Sequence, residues 1–119
     1  MPQYVLFLRG DPSRFAGYGP EEMQKLIQKY GAWRQSLQNK IAAGHKLKDG
    51  EGRVLRQQSG KAVVTDGPFT EAKEVMGGLF VIEADSYDQA VELAKSCPHM
   101  EFGSIEIRAI DRIPQSSST

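Results

Sequence analysis

The chain has almost nothing with which to close a disulfide or hold a metal. It has one cysteine, Cys97, and two histidines, His45 and His99. A lone cysteine excludes an internal disulfide framework, and this Cys and His set falls short of a structural zinc site. No metal and no cofactor are expected. An excess of charge is also absent, since 15 Lys and Arg balance 15 Asp and Glu. That argues against a general nucleic-acid binder, which needs a basic face for phosphate contacts. Long apolar runs are missing too. The run after Met1-Pro2-Gln3 stops at Leu8 and has no basic lead, so it is too short for a signal peptide or a membrane span. A soluble cytoplasmic protein without a membrane partner is the expectation. With 119 residues and 39% hydrophobic content, the chain suits one domain with a single core. We place it over residues 1–113, with residues 114–119 as a polar tail.

The apolar stretches that do exist are short and well marked. Tyr4-Val5-Leu6-Phe7-Leu8 reads as a buried central strand. Arg9-Gly10-Asp11-Pro12-Ser13 breaks it with turn residues, and an adhesion role for Arg9-Gly10-Asp11 does not suit such a domain. Pro20 sits where a helix can begin, and Glu21 and Glu22 favour the positive end of its dipole. Met23, Leu26, Ile27, Tyr30, Trp33, Leu37 and Ile41 then recur at helical spacing, and Gly44 is the expected C-cap. Two short strands, residues 53–57 and 61–65, flank Gln58-Ser59-Gly60 and predict a hairpin. Residues 79–84 predict another central strand. Ser86 and Gln89 fit a capping box for a second helix bearing Tyr87, Ala90, Val91 and Ala94 on one face. Cys97-Pro98 closes it. In residues 104–110, Ile105, Ile107 and Ala109 alternate with Glu106 and Arg108, as in a strand with one polar side.

This order predicts an α+β, ferredoxin-like sandwich with an added β-hairpin, an antiparallel sheet and two helices on one face. Helices cover one face only, yet residues 4–8 and 79–84 are apolar on both. A homodimer through the open sheet face, forming a dimeric α+β barrel, is the expected partner arrangement.

One stretch concentrates special chemistry. Asp66-Gly67-Pro68-Phe69 is a turn signal, Glu71, Lys73 and Glu74 follow it, and Gly77-Gly78 leads into an apolar strand. Together with Ala90, Ala94, Cys97-Pro98, Gly103 and Ile105-Glu106-Ile107-Arg108, this resembles the DGPF branch of the YCII-related proteins over residues 4–110. The resemblance implies the dimeric α+β barrel fold. Most members of that family have no assigned activity. A few relatives are lactone-processing enzymes, one of which eliminates halide, and some copies are fused or adjacent to alternative sigma factors. Shorter relatives carry a helix histidine paired with an aspartate as an acid–base dyad. Here Tyr30 and Trp33 stand in that region and residues 23–43 hold no histidine, so that mechanism does not transfer.

The candidate catalytic groups are Asp66 and His45. Asp66 is either a general base or ligand anchor beside a buried strand, or a turn residue whose carboxylate accepts backbone N–H bonds. His45 has the titration range for proton transfer, but it stands just past the expected helix end, where capping is the more economical role. Candidate ligand-binding residues are Glu71, Lys73, Phe69 and Arg108. Lys73 would hold an anionic group, and Glu71 and Lys73 are otherwise solvated loop charges. Phe69 walls the pocket or plugs the turn. Arg108 lines the barrel interior with Glu106, or meets water. His99 is a loop residue or reaches the pocket. Tyr30 and Trp33 read as core, and Cys97 as buried and inert. The functional expectation is a cavity near the DGPF turn for a small anionic or carbonyl ligand, with acid–base chemistry of the isomerase or lyase kind. The alternative is a non-enzymatic regulatory or interaction module linked to transcription through a sigma factor. The sequence alone leaves open whether the protein is an enzyme.

Overall fold

The computed structural model describes residues 1–11, 13–67 and 75–112. In chain order the elements are β1 (Gln3–Gly10), α1 (Pro20–Leu37), β2 (Ile41–Lys46), β3 (Arg53–Gln58), β4 (Lys61–Asp66), β5 (Val75–Glu83), α2 (Tyr87–Lys95) and β6 (Gly103–Ala109). Strand β1 is central. Its alternation buries Tyr4, Leu6, Leu8 and Gly10 and leaves Val5 and Phe7 half-buried on the other face. It pairs antiparallel with β5 on one side and β6 on the other, and β2 closes the far edge of β5. The resulting order β2-β5-β1-β6, with α1 after β1 and α2 after β5, is ferredoxin-like.

Both helices cover the Tyr4–Leu6–Leu8 face. Leu6 and Ile82 are fully enclosed there, and Trp33, Leu37, Phe80, Ala90 and Ala94 complete the core. Helix α1 starts at Pro20, as expected, with the Glu22 carboxylate accepting from the Gly19 N–H at 2.9 Å. Helix α2 is capped by Ser86, whose Oγ accepts from the Gln89 N–H. The Gln89 side chain reaches the Asp85 N–H rather than that of Ser86, so the expected capping box is shifted by one residue. Small Ala90 and Ala94 let α2 lie close to the sheet. Val91, expected on the same face, is exposed, while Tyr87 leans edge-on against Tyr4 with ring centres 4.9 Å apart.

The C-terminal end of α1 departs from expectation. The helix stops at Leu37, a 3-10 turn follows at Gln38–Lys40, and residues 41–46 form an edge strand. Gln38 takes φ 53°, which ends the helix. Gly44 is therefore no C-cap, and Ile41 is not on the helix. Gly44 lies opposite Phe80, and a Cβ there would come within 2.6 Å of the Phe80 ring. Packing space, rather than a left-handed cap, requires the glycine.

The β3–β4 hairpin turns through Ser59 and Gly60, both at positive φ, as a two-residue loop requires. It forms its own two-stranded sheet and packs chiefly on itself. Leu55 and Val64 pair across it, both exposed. No helix among the described residues is long and apolar enough to cross a membrane.

Core and hairpin should respond differently to truncation. Leu6→Ala, at a fully buried site, is expected to cost about 2–5 kcal/mol in urea unfolding. Leu55→Ala should stay within about 0.5 kcal/mol. Similar losses at both sites would contradict this division of the fold.

Candidate functional site

Where α1 passes over one end of the sheet, glycines take the place of several side chains that would meet it. The helix-facing positions there include Gly78 on β5 and Gly44 on β2, next to Leu8 and Phe80. The gap is a cavity of about 380 Å³. Helix α1 roofs it with Met23, Leu26, Ile27, Tyr30, Gly31 and Arg34. Gly77, Gly78, Phe80 and Lys46 line the sheet side, and Arg14, Phe15 and His99 close one end.

Arg14 reaches the cavity through a local turn. The Asp11 carboxylate accepts from the Ser13 backbone N–H at 2.9 Å and from its hydroxyl at 2.8 Å. The Ser13 backbone bond first, then its hydroxyl, hold the Asp11 carboxyl below its ordinary range. The Asp11 carbonyl accepts from Arg14 Nη1 at 2.9 Å. Phe15 stacks under the guanidinium at 4.7 Å and meets Phe102 edge-on, which fixes the loop. The guanidinium lies against Gly77, where a Cβ would stand 2.7 Å from Nη2. The Arg14 side chain is 7% exposed, and its nearest carboxylate among the described residues is Asp49, at 3.7 Å. Its Nε is buried with no hydrogen-bond partner among the described residues. Asp49 also pairs with Lys46 at 3.3 Å. Arg34 lies over the Phe80 ring at 5.6 Å. Among the described residues, the charged groups lining the cavity are thus Arg14, Arg34 and Lys46, with no carboxylate.

Two further polar side chains border the cavity. His99 is buried, with Nε2 2.7 Å from the Arg9 carbonyl. A carbonyl only accepts, so Nε2 carries a proton and donates it. The Tyr30 phenol is pushed up to about 12, first by burial and then by nearby Cys97 and Glu101, against the pull of Arg14. Tyr30 therefore presents a neutral hydroxyl at physiological pH. Burial also pushes the Cys97 thiol up to about 11, against a bond from the His99 N–H, which leaves it a poor nucleophile.

The sequence candidates fall in different places. His45 stands on β2, eight positions beyond the last residue of α1, so it does not cap that helix. It borders the cavity. Its register partner is Leu79, however, on the face opposite Gly44 and Phe80, so its exposed side chain points away and the backbone forms the border. Asp66 ends β4 on the hairpin. Its side chain is 93% exposed and lies 3.4 Å from Arg53, apart from the cavity lining. Arg108 is exposed on the helix-free face of β6, opposite Val5, and Glu106 on that face pairs with Arg9 at 3.1 Å. Phe69, Glu71 and Lys73 lie outside the described residues. Sequence reading missed Arg14, Arg34 and Lys46. Arg34 follows Trp33 on a face flanking the apolar stripe, and that position was its one available signal.

Tyr30 gives the site a pH signature. A phenol whose pKa rises on folding leaves stability intact below about pH 10 and lowers it as pH climbs toward about 12. Tyr30→Phe should flatten the fall in unfolding midpoint across that interval. Parallel curves for variant and wild type would refute the assignment.

Comparison with known proteins identifies the family of the chain. An uncharacterized protein of Rhizobium meliloti (strain 1021) is 28% identical over 116 residues, covering 90% of each chain. A solved structure of 5-chloro-2-hydroxyhydroquinone dehydrochlorinase from Burkholderia phenoliruptrix AC1100, in complex with 2,5-dihydroxybenzoquinone, is similar over 98% of this chain and 97% of that one. Its identity is 20% and its TM-score 0.44. The YCII-related domain matches residues 3–114, nearly the whole length, and the chain belongs to that family.

Proposed function

We propose that this YCII-related protein binds a small anionic or carbonyl compound in the cavity between α1 and the sheet. One observation carries the reading: a cavity of about 380 Å³, walled largely by apolar side chains, whose charged lining groups among the described residues are all cationic. That volume suits a small molecule, and the pattern of apolar walls with few placed polar groups is that of a ligand pocket. The neutral Tyr30 hydroxyl can donate a hydrogen bond to a bound carbonyl, and the chemistry proposed for such a ligand is acid–base, of the isomerase or lyase kind. The site lies at Gly77-Gly78, the glycine pair that follows the DGPF motif, rather than at the exposed Asp66 carboxylate.

Gly31 offers a direct test. It lines the roof, and nothing stands within 4 Å of the Cβ it lacks, so a larger residue fits without disturbing the helix. Calorimetric titration with a panel of small lactones and carboxylic acids should yield a binder whose affinity falls more than about tenfold in Gly31→Trp. A panel without binders, or a binder indifferent to Gly31→Trp, would sink the proposal.

We also propose that a second copy covers the helix-free face of the sheet. Val5, Phe7, Leu79 and Val81 lie half-buried there without a helix over them. The Arg9–Glu106 ion pair borders this patch. Light scattering at micromolar concentration should give a dimer mass, and a strict monomer would rule the pairing out.

A further inference from the structure

Among the described residues, Arg14 is a buried cation with too few partners. One nitrogen bonds the Asp11 carbonyl, Nε has no partner among the described residues, and the Asp49 carboxylate stays at 3.7 Å, beyond hydrogen-bond distance. A charge so enclosed is costly unless it is closely paired. Asp49 is itself more than a third exposed and is shared with Lys46 at 3.3 Å. It sits in the connection between β2 and β3, followed by Gly50 at φ 76°, and its carboxylate faces the two cations at the cavity edge. Phe15, Met23, Ile27 and Phe80 give the adjoining space an apolar wall.

We infer that Arg14 is the anion anchor of the cavity, that its ligand is a small monocarboxylate with a compact apolar body, and that Asp49 is a resident counter-ion which that carboxylate displaces. The inference rests on the ligand-binding reading above and deepens it. A guanidinium matches a carboxylate in a planar, two-bond geometry that the distant Asp49 does not achieve. The ligand's apolar body then lies against the roof, while Lys46, released from Asp49, adds a second cation near the carboxylate. Asp49 accordingly lowers affinity and raises selectivity, because an uncharged compound gains nothing by displacing it.

The test compares benzoate with its neutral counterpart benzamide by calorimetry, in wild type, Arg14→Gln, Asp49→Asn and Gly31→Trp, each checked for folding by circular dichroism. Wild type should bind benzoate at least about tenfold more tightly than benzamide, and Arg14→Gln should erase that preference. Asp49→Asn should tighten benzoate by about three- to tenfold and leave benzamide unchanged, since one exposed ion pair is lost and a competitor removed. A merely structural Asp49 would instead weaken benzoate or leave it unaltered, and either result overturns the inference, even if Arg14→Gln fails to fold. Equal binding of benzoate and benzamide, abolished by Gly31→Trp, removes the anchor but keeps the ligand cavity. Binding of neither compound to wild type defeats the inference alone if another member of the lactone and acid panel binds and is blocked by Gly31→Trp. It defeats both readings if none does.

Discussion

The indole of Trp33 is where the two helices and the sheet meet. Its ring stands edge-on to Phe80 of β5 with centres 5.0 Å apart, and its N–H donates to the Leu93 carbonyl of α2 at 3.0 Å. One side chain on α1 thus fixes a distance to the sheet and a distance to the other helix. Burial of a tryptophan in such a core is worth roughly 3–5 kcal/mol, and an unpartnered indole N–H would remove part of that. Leu37, one turn further on, adds to the same anchor. The C-terminal half of α1 is therefore pinned to the sheet. Beside that anchor, Met23, Ile27, Tyr30, Gly31 and Arg34 run over a floor where Gly44, Gly77 and Gly78 present no side chains. The cavity follows from that contrast on a single helix.

Charge is distributed to match. Exposed pairs such as Lys95–Glu92 and Lys29–Glu101 lie in solvent and contribute little. Arg14 differs because aromatic rings and backbone enclose it, so its interactions are weakly screened. The turn that delivers it depends on Asp11, whose carboxylate is occupied with Ser13. The Arg9-Gly10-Asp11 tripeptide therefore ends a strand and sets up the turn behind it.

Much of the fold was legible in the sequence because burial writes a period into it. The continuous apolar run of residues 4–8, the alternation in residues 104–110, the start of α1 at Pro20 and the cap at Ser86 are all local signals, and all hold. Strand β2 was not legible. Ala42, Ala43 and Gly44 have little β preference of their own, and only pairing with β5 makes them extended. The sparse apolar content of residues 53–66 was a clue that the hairpin stood outside the main sheet. A ferredoxin-like sheet then needed another strand after α1. The cavity was harder still to foresee. Its floor is built of absent side chains, and Arg14 arrives from a loop whose course depends on Phe15 meeting Phe102.

The glycine floor has a consequence for how related chains can diverge. A Cβ at Gly44 would strike Phe80 at 2.6 Å, and one at Gly78 would strike the His45 carbonyl at 2.9 Å. The floor is closed to variation, because the atoms that exclude a methyl group are themselves core or backbone. The roof is open. Ile27 is 64% exposed, and Gly31 faces empty space. Within this architecture a lineage can change the size and chemistry of what it admits by altering α1, while the sheet beneath stays the same.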